Sequence, residues 1–385
     1  MRPICRAVRR VRIGEAFGNV VYFTEAESDA TAQDALRHAP TLRAPHRRIA
    51  SAGHARISLR DAPPRKHTDR KKQANDTMSL TNLTEESLRV NVPDVALIFE
   101  GGGMRASHSA GAVVTLLERG INFGHVYGIS AGSSHTVNYV SRDARRAKAS
   151  FVDLVRDPHF GGIGSFLAGR GYFNAPHLYE GIIADLAGTD EVMAFDWDAF
   201  SRNPAHVHIE GFDWDTGATV AWTKADMPTP HDMAIRVRAS SSMPIFMPPT
   251  RIADHAYLDG GMGTSWGICL EAARRDGFER FFVVRTQSRG YRKGPVGPAG
   301  QRLFRTVFRK HPLVAERTIE RWQHYNALCG ELEQLEREGA AYVFYPETMS
   351  VTNRETEFGK LQASYEQGYA QAQREADAWE AWLQR

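Results

Sequence analysis

The first regular pattern in the chain is a pair of short apolar runs, each followed by a loop and a helix-forming stretch. Residues 95–99 read Val-Ala-Leu-Ile-Phe, and residues 125–129 read His-Val-Tyr-Gly-Ile. Short apolar runs of this kind are typical of strands that are buried on both faces of a parallel sheet. The stretches that follow, 107–119 and 133–139, favour helices. Two strand, loop and helix units in succession predict a parallel sheet covered by helices.

The same alternation continues toward the C-terminus. Within residues 206–223, two strands are predicted to flank Asp215-Thr216-Gly217, because Asp and Gly at such positions are typical of a hairpin turn. No internal repeat is visible, so the alternation predicts one α/β domain. The remaining predicted strands are 280–286 and 341–345, and the remaining predicted helices are 268–276 and 314–338.

The N-terminal part of the chain differs from the rest in charge and pattern. Residues 1–77 hold 16 Lys and Arg against 8 Asp and Glu, whereas the remainder carries a net charge of −5. We predict that residues 1–90 are a basic, disordered extension and that residues 91–385 form one domain with a helical C-terminal part. Met78 resembles a natural start, so an over-long reading frame is an alternative origin for this extension. The acidic body excludes a nucleic-acid partner.

The cysteine content and the hydropathy of the chain limit the cellular compartments in which the protein is expected. Cys5, Cys269 and Cys329 are widely spaced and odd in number, which argues against a disulfide framework and a cysteine metal site. No uninterrupted apolar run reaches the roughly 18 residues that a membrane-spanning helix needs. We therefore predict a cytoplasmic protein whose contact with lipid, where it occurs, is peripheral.

The sequence Gly128-Ile-Ser130-Ala-Gly132 lies where the second apolar run meets the helix that follows it. A serine at the apex of such a sharp turn has a strained backbone, and glycine two residues to either side avoids a collision. The turn exposes the hydroxyl near the positive end of a helix, where a developing oxyanion is favoured. Ser130 is therefore a candidate nucleophile, although a purely structural turn has the same pattern in a chain with 33 glycines.

A run of three glycines, Gly101-Gly102-Gly103, follows the first apolar run and precedes Met104 and Arg105. Successive glycines let backbone N–H groups converge on one point, which creates an anion-binding nest. The nest is interpreted as an oxyanion hole. A nucleotide phosphate loop is the alternative, but the G-x-G-x-x-G spacing is absent and no Gly-Lys-Ser/Thr follows.

A third motif, Leu258-Asp259-Gly260-Gly261, lies far along the chain. An aspartate beside glycines can approach another backbone closely, as a general base for Ser130 must do. By itself, Asp-Gly-Gly is commonly no more than a turn.

Together the three motifs resemble the pattern of the patatin-like phospholipases. The resemblance covers about residues 93–290, and the segment 240–246 also looks like the family's Ala/Ser-rich segment before the aspartate motif. It implies a three-layer α/β/α fold with a mainly parallel central sheet. It also implies a Ser–Asp dyad without histidine, which hydrolyses ester bonds of lipids through an acyl-enzyme. No cofactor is predicted, and the expected partner is a lipid or acyl-ester substrate.

The resemblance also implies a role for each matching position. Ser130 is the nucleophile and Asp259 the general base of this implied site. The oxyanion segment comprises Gly101, Gly102, Gly103, Met104 and Arg105, the glycines of the serine turn are Gly128 and Gly132, and those beside the base are Gly260 and Gly261. Ala106 departs from the pattern, since many family members have glycine there.

Two rival functions remain open on the sequence alone. A Ser-His-Asp hydrolase would use His311 or His324, which follow Asp259 in the chain order that such enzymes require. A catalytically idle lipid-binding protein of the same fold is the second rival. Replacing each histidine separately distinguishes the first rival from a dyad.

Side chains around the motifs have alternative roles. Arg105 would either contact an anionic headgroup or steady its loop through a buried carboxylate. His206 and His208 point the same way on a strand, but no third ligand is indicated, so no metal site is predicted. Apolar residues near the aspartate motif would line an acyl pocket or belong to the core, namely Met243, Phe246, Met247 and Met262.

Residues 289–310 form a basic segment with seven Lys and Arg, no acidic residue and interleaved apolar side chains. At helical spacing this pattern is compatible with peripheral contact with an anionic membrane. A solvated basic loop with an ordinary packed helix is the alternative.

Overall fold

The computed structural model describes residues 84–183 and 193–385. The predictions made for residues 1–83, including the start at Met78 and most of the disordered extension 1–90, lie outside the described residues. The last seven residues of that extension, 84–90, are described and include a helix at Glu85–Leu88. The strands are β1 (Val92–Phe99), β2 (Phe123–Ile129), β3 (His206–Asp213), β4 (Thr219–Trp222), β5 (Thr250–Ile252), β6 (His255–Asp259), β7 (Phe281–Val284) and β8 (Ala341–Phe344). The helices are α1 (Glu85–Leu88), α2 (Ala106–Glu118), α3 (Ala131–Val140), α4 (Ala144–Ala149), α5 (Ile163–Leu167), α6 (Trp197–Arg202), α7 (Pro230–Ser240), α8 (Leu270–Arg275), α9 (Pro298–Val307), α10 (Pro312–Arg337) and α11 (Phe358–Leu383), with a π-helix at Pro176–Ile183.

Eight strands of the described chain form one sheet. Their order is β5-β6-β3-β2-β1-β7-β8, and β4 pairs with β3. The pairs among β3, β2, β1, β7 and β8 are parallel, whereas β4, β5 and β6 are antiparallel to their neighbours. The prediction of an α/β fold with a mainly parallel central sheet is confirmed.

The position of β1 in the centre of the sheet explains why its sequence is apolar without alternation. Val95, Leu97 and Phe99 pack into a core that includes side chains of α2, α3, α7 and α11. Ala96 and Ile98 face the opposite core, which includes side chains of α8 and α10. All five side chains are fully buried. Because both faces of the strand are covered, a continuous apolar run is required, and three layers result.

The predicted hairpin is present between β3 and β4. Asp213 Oδ1 accepts hydrogen bonds from the N–H groups of Asp215 and Thr216, at 3.0 and 2.8 Å. Gly217 has a φ of 71°, which a glycine adopts without steric cost. An aspartate that caps its own turn and a glycine in the left-handed region therefore set the turn where the sequence predicted it.

The basic segment 289–310 contains α9, and two of its apolar residues, Phe304 and Phe308, face inward. Phe304 and Phe308 are buried in a core cluster that includes Val314 and Ala315 of α10. Three arginines form ion pairs with the same long helix, namely Arg289 with Glu336, Arg292 with Glu333 and Arg305 with Glu316. The apolar face that a membrane-lying helix needs is thus occupied by protein, as in the alternative of an ordinary packed helix. None of the helices in the described part of the chain is long and apolar enough to cross a membrane.

Candidate active site

Ser130 lies at the turn between β2 and α3. Its φ of 56° and ψ of −125° are unusual for a residue with a side chain, and such a backbone costs on the order of 1–3 kcal/mol. A Cβ on Gly128 would lie 2.3 Å from the Gly132 carbonyl oxygen, and a Cβ on Gly132 would lie 2.2 Å from the Phe99 carbonyl oxygen. Both distances are far below van der Waals contact. The two glycines are therefore what allows the strand, the turn and the helix to pack this closely.

Strand β3 brings Ser130 and Asp259 together. Ile129, the residue before the serine, pairs with Glu210 in parallel register. Asp259 pairs with Gly211, the next residue of β3, in antiparallel register. Ile129 and Asp259 are thus paired with two consecutive residues of β3. The Ser130 hydroxyl, one residue after Ile129, is a hydrogen-bonding neighbour of the Asp259 carboxylate. Residues 129 positions apart in the chain meet because β2 and β6 pair with opposite edges of β3, and β6 pairs with the residues of β3 that follow those paired with β2.

The serine-rich segment at the end of α7 forms hydrogen bonds with the backbone of both Ser130 and Asp259. The Ser130 N–H donates to Ser240 Oγ at 2.9 Å. The Asp259 N–H donates to the Ser242 carbonyl oxygen, also at 2.9 Å. Ser240 and Ser242 are fully buried. Small polar side chains are needed here because they lie between two closely spaced turns and still satisfy backbone hydrogen bonds.

The environment of Asp259 changes its acidity. The residue is 7% exposed, and burial raises the pKa of its carboxyl above the usual value for an aspartate. The positive charge of Arg321 is the largest of the influences that oppose this rise. A 2.8 Å hydrogen bond from the Gly261 N–H to Oδ1 also favours the ionised form. Burial prevails, so the carboxylate is a stronger base than a solvated one.

The glycine loop after β1 offers fewer N–H donors than the sequence predicted. The Gly101 N–H donates to the Gly267 carbonyl, the Met104 N–H to the Asn353 carbonyl, and the Arg105 N–H to the Gly102 carbonyl. These three groups therefore cannot serve as oxyanion donors without breaking a hydrogen bond. Within the described residues, the N–H groups of Gly102 and Gly103 donate no hydrogen bond.

The loop is held against Ser130 by close backbone packing. A Cβ on Gly101 would lie 3.1 Å from the Ser130 Cβ. A Cβ on Gly102 would lie 2.4 Å from Thr286 Oγ1, and the same hydroxyl donates to the Gly101 carbonyl at 2.8 Å. The residue after the loop, Ala106, has a right-handed helical backbone with φ of −64°. The departure from glycine at this position is thus compatible with the loop.

A buried ion pair lies directly beneath the glycine loop, and the sequence analysis missed it. Glu100 and Arg285 are each 2% exposed, and Arg285 Nε lies 2.8 Å from Glu100 Oε2. The Tyr325 hydroxyl donates to the other carboxylate oxygen at 2.6 Å, and the Thr286 N–H donates to Oε2 at 2.7 Å. Burial alone would raise the pKa of Glu100, but the Arg285 charge and these hydrogen bonds lower it overall. The carboxylate therefore stays ionised and ties the loop to the ends of β1 and β7 and to α10.

Replacing Tyr325 with phenylalanine tests this network. The variant removes a hydroxyl that donates to Glu100 and accepts from Arg285 Nη2 at 3.0 Å. Because both partners are charged and buried, we expect the free energy of unfolding to fall by about 1.5–3 kcal/mol. Urea denaturation of the full chain measures it. Tyr365→Phe is the matched control, since the Tyr365 hydroxyl has no hydrogen bond to the described residues, and equal stability of the two variants would contradict the prediction.

An apolar pocket opens beside Ser130. Its wall includes Ala131 and Ser134 on α3, so it begins at the serine and runs along that helix. Of the apolar candidates from the sequence, Met243 and Met247 line the pocket, whereas Met262 packs in the core cluster of Phe212 and Leu258. Phe246 does not line the pocket and lies under the guanidinium of Arg354. The apolar lining includes Phe151, Leu154, Phe160, Phe173, Met243 and Met247.

Arg146 gives this apolar pocket a polar wall. The side chain is 1% exposed, and burial lowers the pKa of its guanidinium to about 10. Its Nε donates to the Met193 carbonyl at 3.2 Å, and its Nη1 donates to the Asn138 side chain on α3. The guanidinium also lies over the Phe195 ring. These contacts anchor a charge that the sequence pattern did not single out.

The histidines of the rival triad lie elsewhere. His311 Nδ1 is 3.3 Å from Asp215, and its Nε2 accepts a hydrogen bond from the Trp214 indole. His324 stacks on Trp266 with ring centroids 4.3 Å apart. Neither histidine lines the pocket that contains Ser130.

The other polar candidates also have defined surroundings. Within the described chain, no carboxylate forms an ion pair with Arg105, so the buried-carboxylate role has no partner there. His206 packs against the His125 ring. His208 Nε2 lies 3.0 Å from Glu210 Oε1, which also accepts from Ser265 at 3.0 Å, and Cys269 is close to both. The two histidines of the strand are therefore not joined in one cluster.

Comparisons with known proteins identify two segments of the chain. Residues 97–266 match the model of the patatin-like phospholipases. Residues 311–384, which hold α10, β8 and α11, match a domain of unknown function, DUF6363. Because β8 pairs with β7, this second segment belongs to the same sheet as the first.

Comparisons with whole proteins provide less information than the family models. A search of curated proteins found no match. Among solved structures, the crystal structure of VipD from Legionella pneumophila is similar over 74% of this chain and 67% of that chain, with 14% sequence identity and a TM-score of 0.40. This likeness is too low to bear on function. The matched segment runs from within β1 to beyond β6 and so includes Ser130, Asp259 and the glycine loop, which makes this part of the chain similar to the patatin-like phospholipases.

Proposed function

We propose that the protein hydrolyses carboxylic esters of lipids with Ser130 as nucleophile and Asp259 as general base. The observation that carries this proposal is the contact between the two side chains beside an apolar pocket. The pocket suits an acyl chain, because apolar walls bind apolar chains without leaving polar groups unpaired. This arrangement supports ester hydrolysis of the phospholipase or lysophospholipase type, which is the activity of the patatin-like phospholipases.

The proposed cycle begins with proton transfer. Asp259 accepts the proton of the Ser130 hydroxyl while Oγ attacks the ester carbonyl carbon. The carbonyl oxygen becomes an oxyanion, which the N–H groups of Gly102 and Gly103 stabilise. When the tetrahedral species collapses, the bond to the alcohol oxygen breaks, and the alcohol leaves with the proton held by Asp259. An acyl ester of Ser130 remains.

The second half of the cycle repeats the same roles with water. Asp259 removes a proton from a water molecule, whose oxygen attacks the acyl carbon. The bond to Ser130 Oγ then breaks, Oγ recovers a proton from Asp259, and the fatty acid leaves. No cofactor enters any step of this proposal.

A fluorophosphonate probe tests the proposed nucleophile directly. The reagent phosphonylates activated serines, so we expect labelling of the full chain and a modified peptide that contains Ser130 by mass spectrometry. Ser133 is a matched control, because its hydroxyl lies in the same helix turn but donates to the Ser130 carbonyl at 2.6 Å. Labelling should persist in Ser133→Ala and vanish in Ser130→Ala. Labelling at another serine would reject the assignment.

The pH dependence follows from the raised pKa of Asp259. The base acts as a carboxylate, so kcat/KM should fall as the pH drops through this pKa, at a pH above the usual aspartate value of about 3.9. Arg321 opposes the rise in pKa, so Arg321→Gln should move the acid limb to higher pH. Arg309→Gln removes an equal charge at an exposed position and is the control. A limb that stays in place, or moves to lower pH, in Arg321→Gln would contradict the assignment of the base.

A cytoplasmic location with peripheral contact to an anionic membrane remains a proposal. The basic segment 289–310 would supply such contact through charge, since its buried Phe304 and Phe308 are unavailable. Binding to anionic liposomes that disappears at high salt would support this role, and equal binding to neutral and anionic liposomes would exclude it.

A further inference from the structure

The short helix α5 presents two large apolar side chains to solvent. Ile163 is 72% exposed and Leu167 is 55% exposed, which exceeds the other exposed large apolar residues of the described chain. They are four residues apart and therefore lie on the same face of the helix. Single exposed apolar residues are ordinary, but two on one face of a five-residue helix form a continuous patch.

This patch lies in a loop whose two ends line the pocket that contains Ser130. The chain leaves the pocket wall at Phe160 and returns to it at Phe173, and both rings line the pocket with centroids 5.5 Å apart. The loop is closed at its base, because Gly161 pairs with Phe173 and the Asn174 N–H donates to the Phe160 carbonyl at 2.9 Å. The loop that carries the patch is therefore anchored to the pocket wall at both ends.

The composition of the loop separates it from an ordinary surface loop. Between Phe160 and Phe173, Arg170 is the single charged residue, and the remaining residues are glycine, apolar residues, one serine and one tyrosine. Gly162 and Gly169 at the two ends of α5 have φ of 103° and 76°. A segment with a single charged side chain gains little solvation free energy from contact with water. A lipid surface would instead cover the apolar side chains and leave a guanidinium near the headgroups.

We infer that Ile163 and Leu167 form an apolar contact with a lipid surface, distinct from any contact through the charge of segment 289–310, an inference that rests on the proposed acyl hydrolysis. With α5 in the surface, an acyl chain would pass from the lipid to the pocket beside Phe160 and Phe173 without crossing water. The contact is apolar, so it should persist at high salt. Contact through the basic segment 289–310 would instead weaken as salt rises.

Vesicle co-sedimentation with the full chain tests this contact. The probe is unilamellar phosphatidylcholine vesicles, in buffer with low salt and with added salt. We expect the wild type to sediment in both, and Ile163→Ser/Leu167→Ser to partition at least about tenfold more weakly. Leu313→Ser is the matched control, because Leu313 is an exposed apolar residue on α10, at 45% exposure, outside both α5 and the basic segment. It should sediment like the wild type.

Turnover separates this inference from the proposed function. The double variant should lose at least about tenfold of its activity on phosphatidylcholine vesicles and hydrolyse a short soluble ester such as p-nitrophenyl acetate like the wild type. Vesicle binding equal to that of the wild type would overturn the inference, whatever the ester assay shows. A wild type that binds vesicles through these residues but hydrolyses no ester would reject the proposed function alone.

A second copy of this chain is the other occupant that such a patch could take. Analytical ultracentrifugation decides between the two. A dimer that dissociates in Ile163→Ser/Leu167→Ser, together with vesicle binding that is unchanged in this variant, would overturn the lipid contact. A monomeric wild type that loses vesicle binding in the variant would support it.

Discussion

Ser130→Ala and Asp259→Asn are each expected to lower kcat/KM for p-nitrophenyl butyrate by at least about 10³-fold. The first variant removes the attacking oxygen. The second replaces the carboxylate by an amide, which cannot accept the Ser130 proton at any pH. If either residue had only a structural role in its turn, its replacement would lower kcat/KM far less. Steady-state hydrolysis by the full chain measures both.

Both variants should fold, which makes the loss of turnover interpretable. The amide side chain of Asp259→Asn retains an oxygen that can accept from the Gly261 N–H, and the backbone N–H at this position still donates to the Ser242 carbonyl. The Ser130 backbone keeps its bond to Ser240 Oγ when the side chain becomes alanine. Urea midpoints close to that of the wild type should accompany the loss of activity.

The rival functions predict different outcomes for a matched set of variants. Under the dyad, His311→Ala and His324→Ala stay active, because these histidines contact Trp214 and Trp266 rather than the pocket. Loss of turnover in either variant without unfolding would favour a Ser-His-Asp triad. Near-normal activity of Asp259→Asn would refute the base, and a wild type that binds lipid but neither hydrolyses esters nor reacts with a fluorophosphonate would be the idle binder.

The parts of this site that sequence could predict are those set by local geometry. The buried strand before Ser130 and the glycines beside it follow from apolar runs and steric limits over a few residues. The hairpin after β3 follows from Asp213 to Gly217 in the same way. Strand β6 was not predicted as a strand, because its five residues end in the turn that holds Asp259.

The parts that sequence missed depend on contacts between distant segments. Glu100 and Arg285 are 185 positions apart, and each looks like an ordinary surface residue until the fold buries both. The charge of Arg321 acts on Asp259 from the middle of a long helix, where the sequence predicted only the helix itself. The sequence also could not show which loop N–H groups are already engaged, since the Met104 N–H is taken by the carbonyl of Asn353.

Gly103→Ala should reduce kcat by about 10²–10³-fold, the usual cost of removing an oxyanion donor. Gly103 has a φ of 56°, and an added Cβ would lie 2.3 Å from the Asn353 carbonyl oxygen. Because that neighbour is backbone, the loop has to move, and with it the N–H groups of Gly102 and Gly103. An interaction that strengthens in the transition state affects kcat more than KM. We therefore expect KM to change by less than about tenfold.

Gly330→Ala is the control that separates this effect from a general intolerance of alanine for glycine. Gly330 lies within α10, and an added Cβ there meets no atom within 4 Å. Alanine is the better helix former, so this variant should be as stable as the wild type or more stable, by up to about 1 kcal/mol. If Gly103→Ala keeps kcat within about threefold of the wild type while folded, the glycine loop does not stabilise the oxyanion. The donors would then have to come from elsewhere, and the N-terminus of α3 beside Ser130, beginning at Ala131, would be the next place to look.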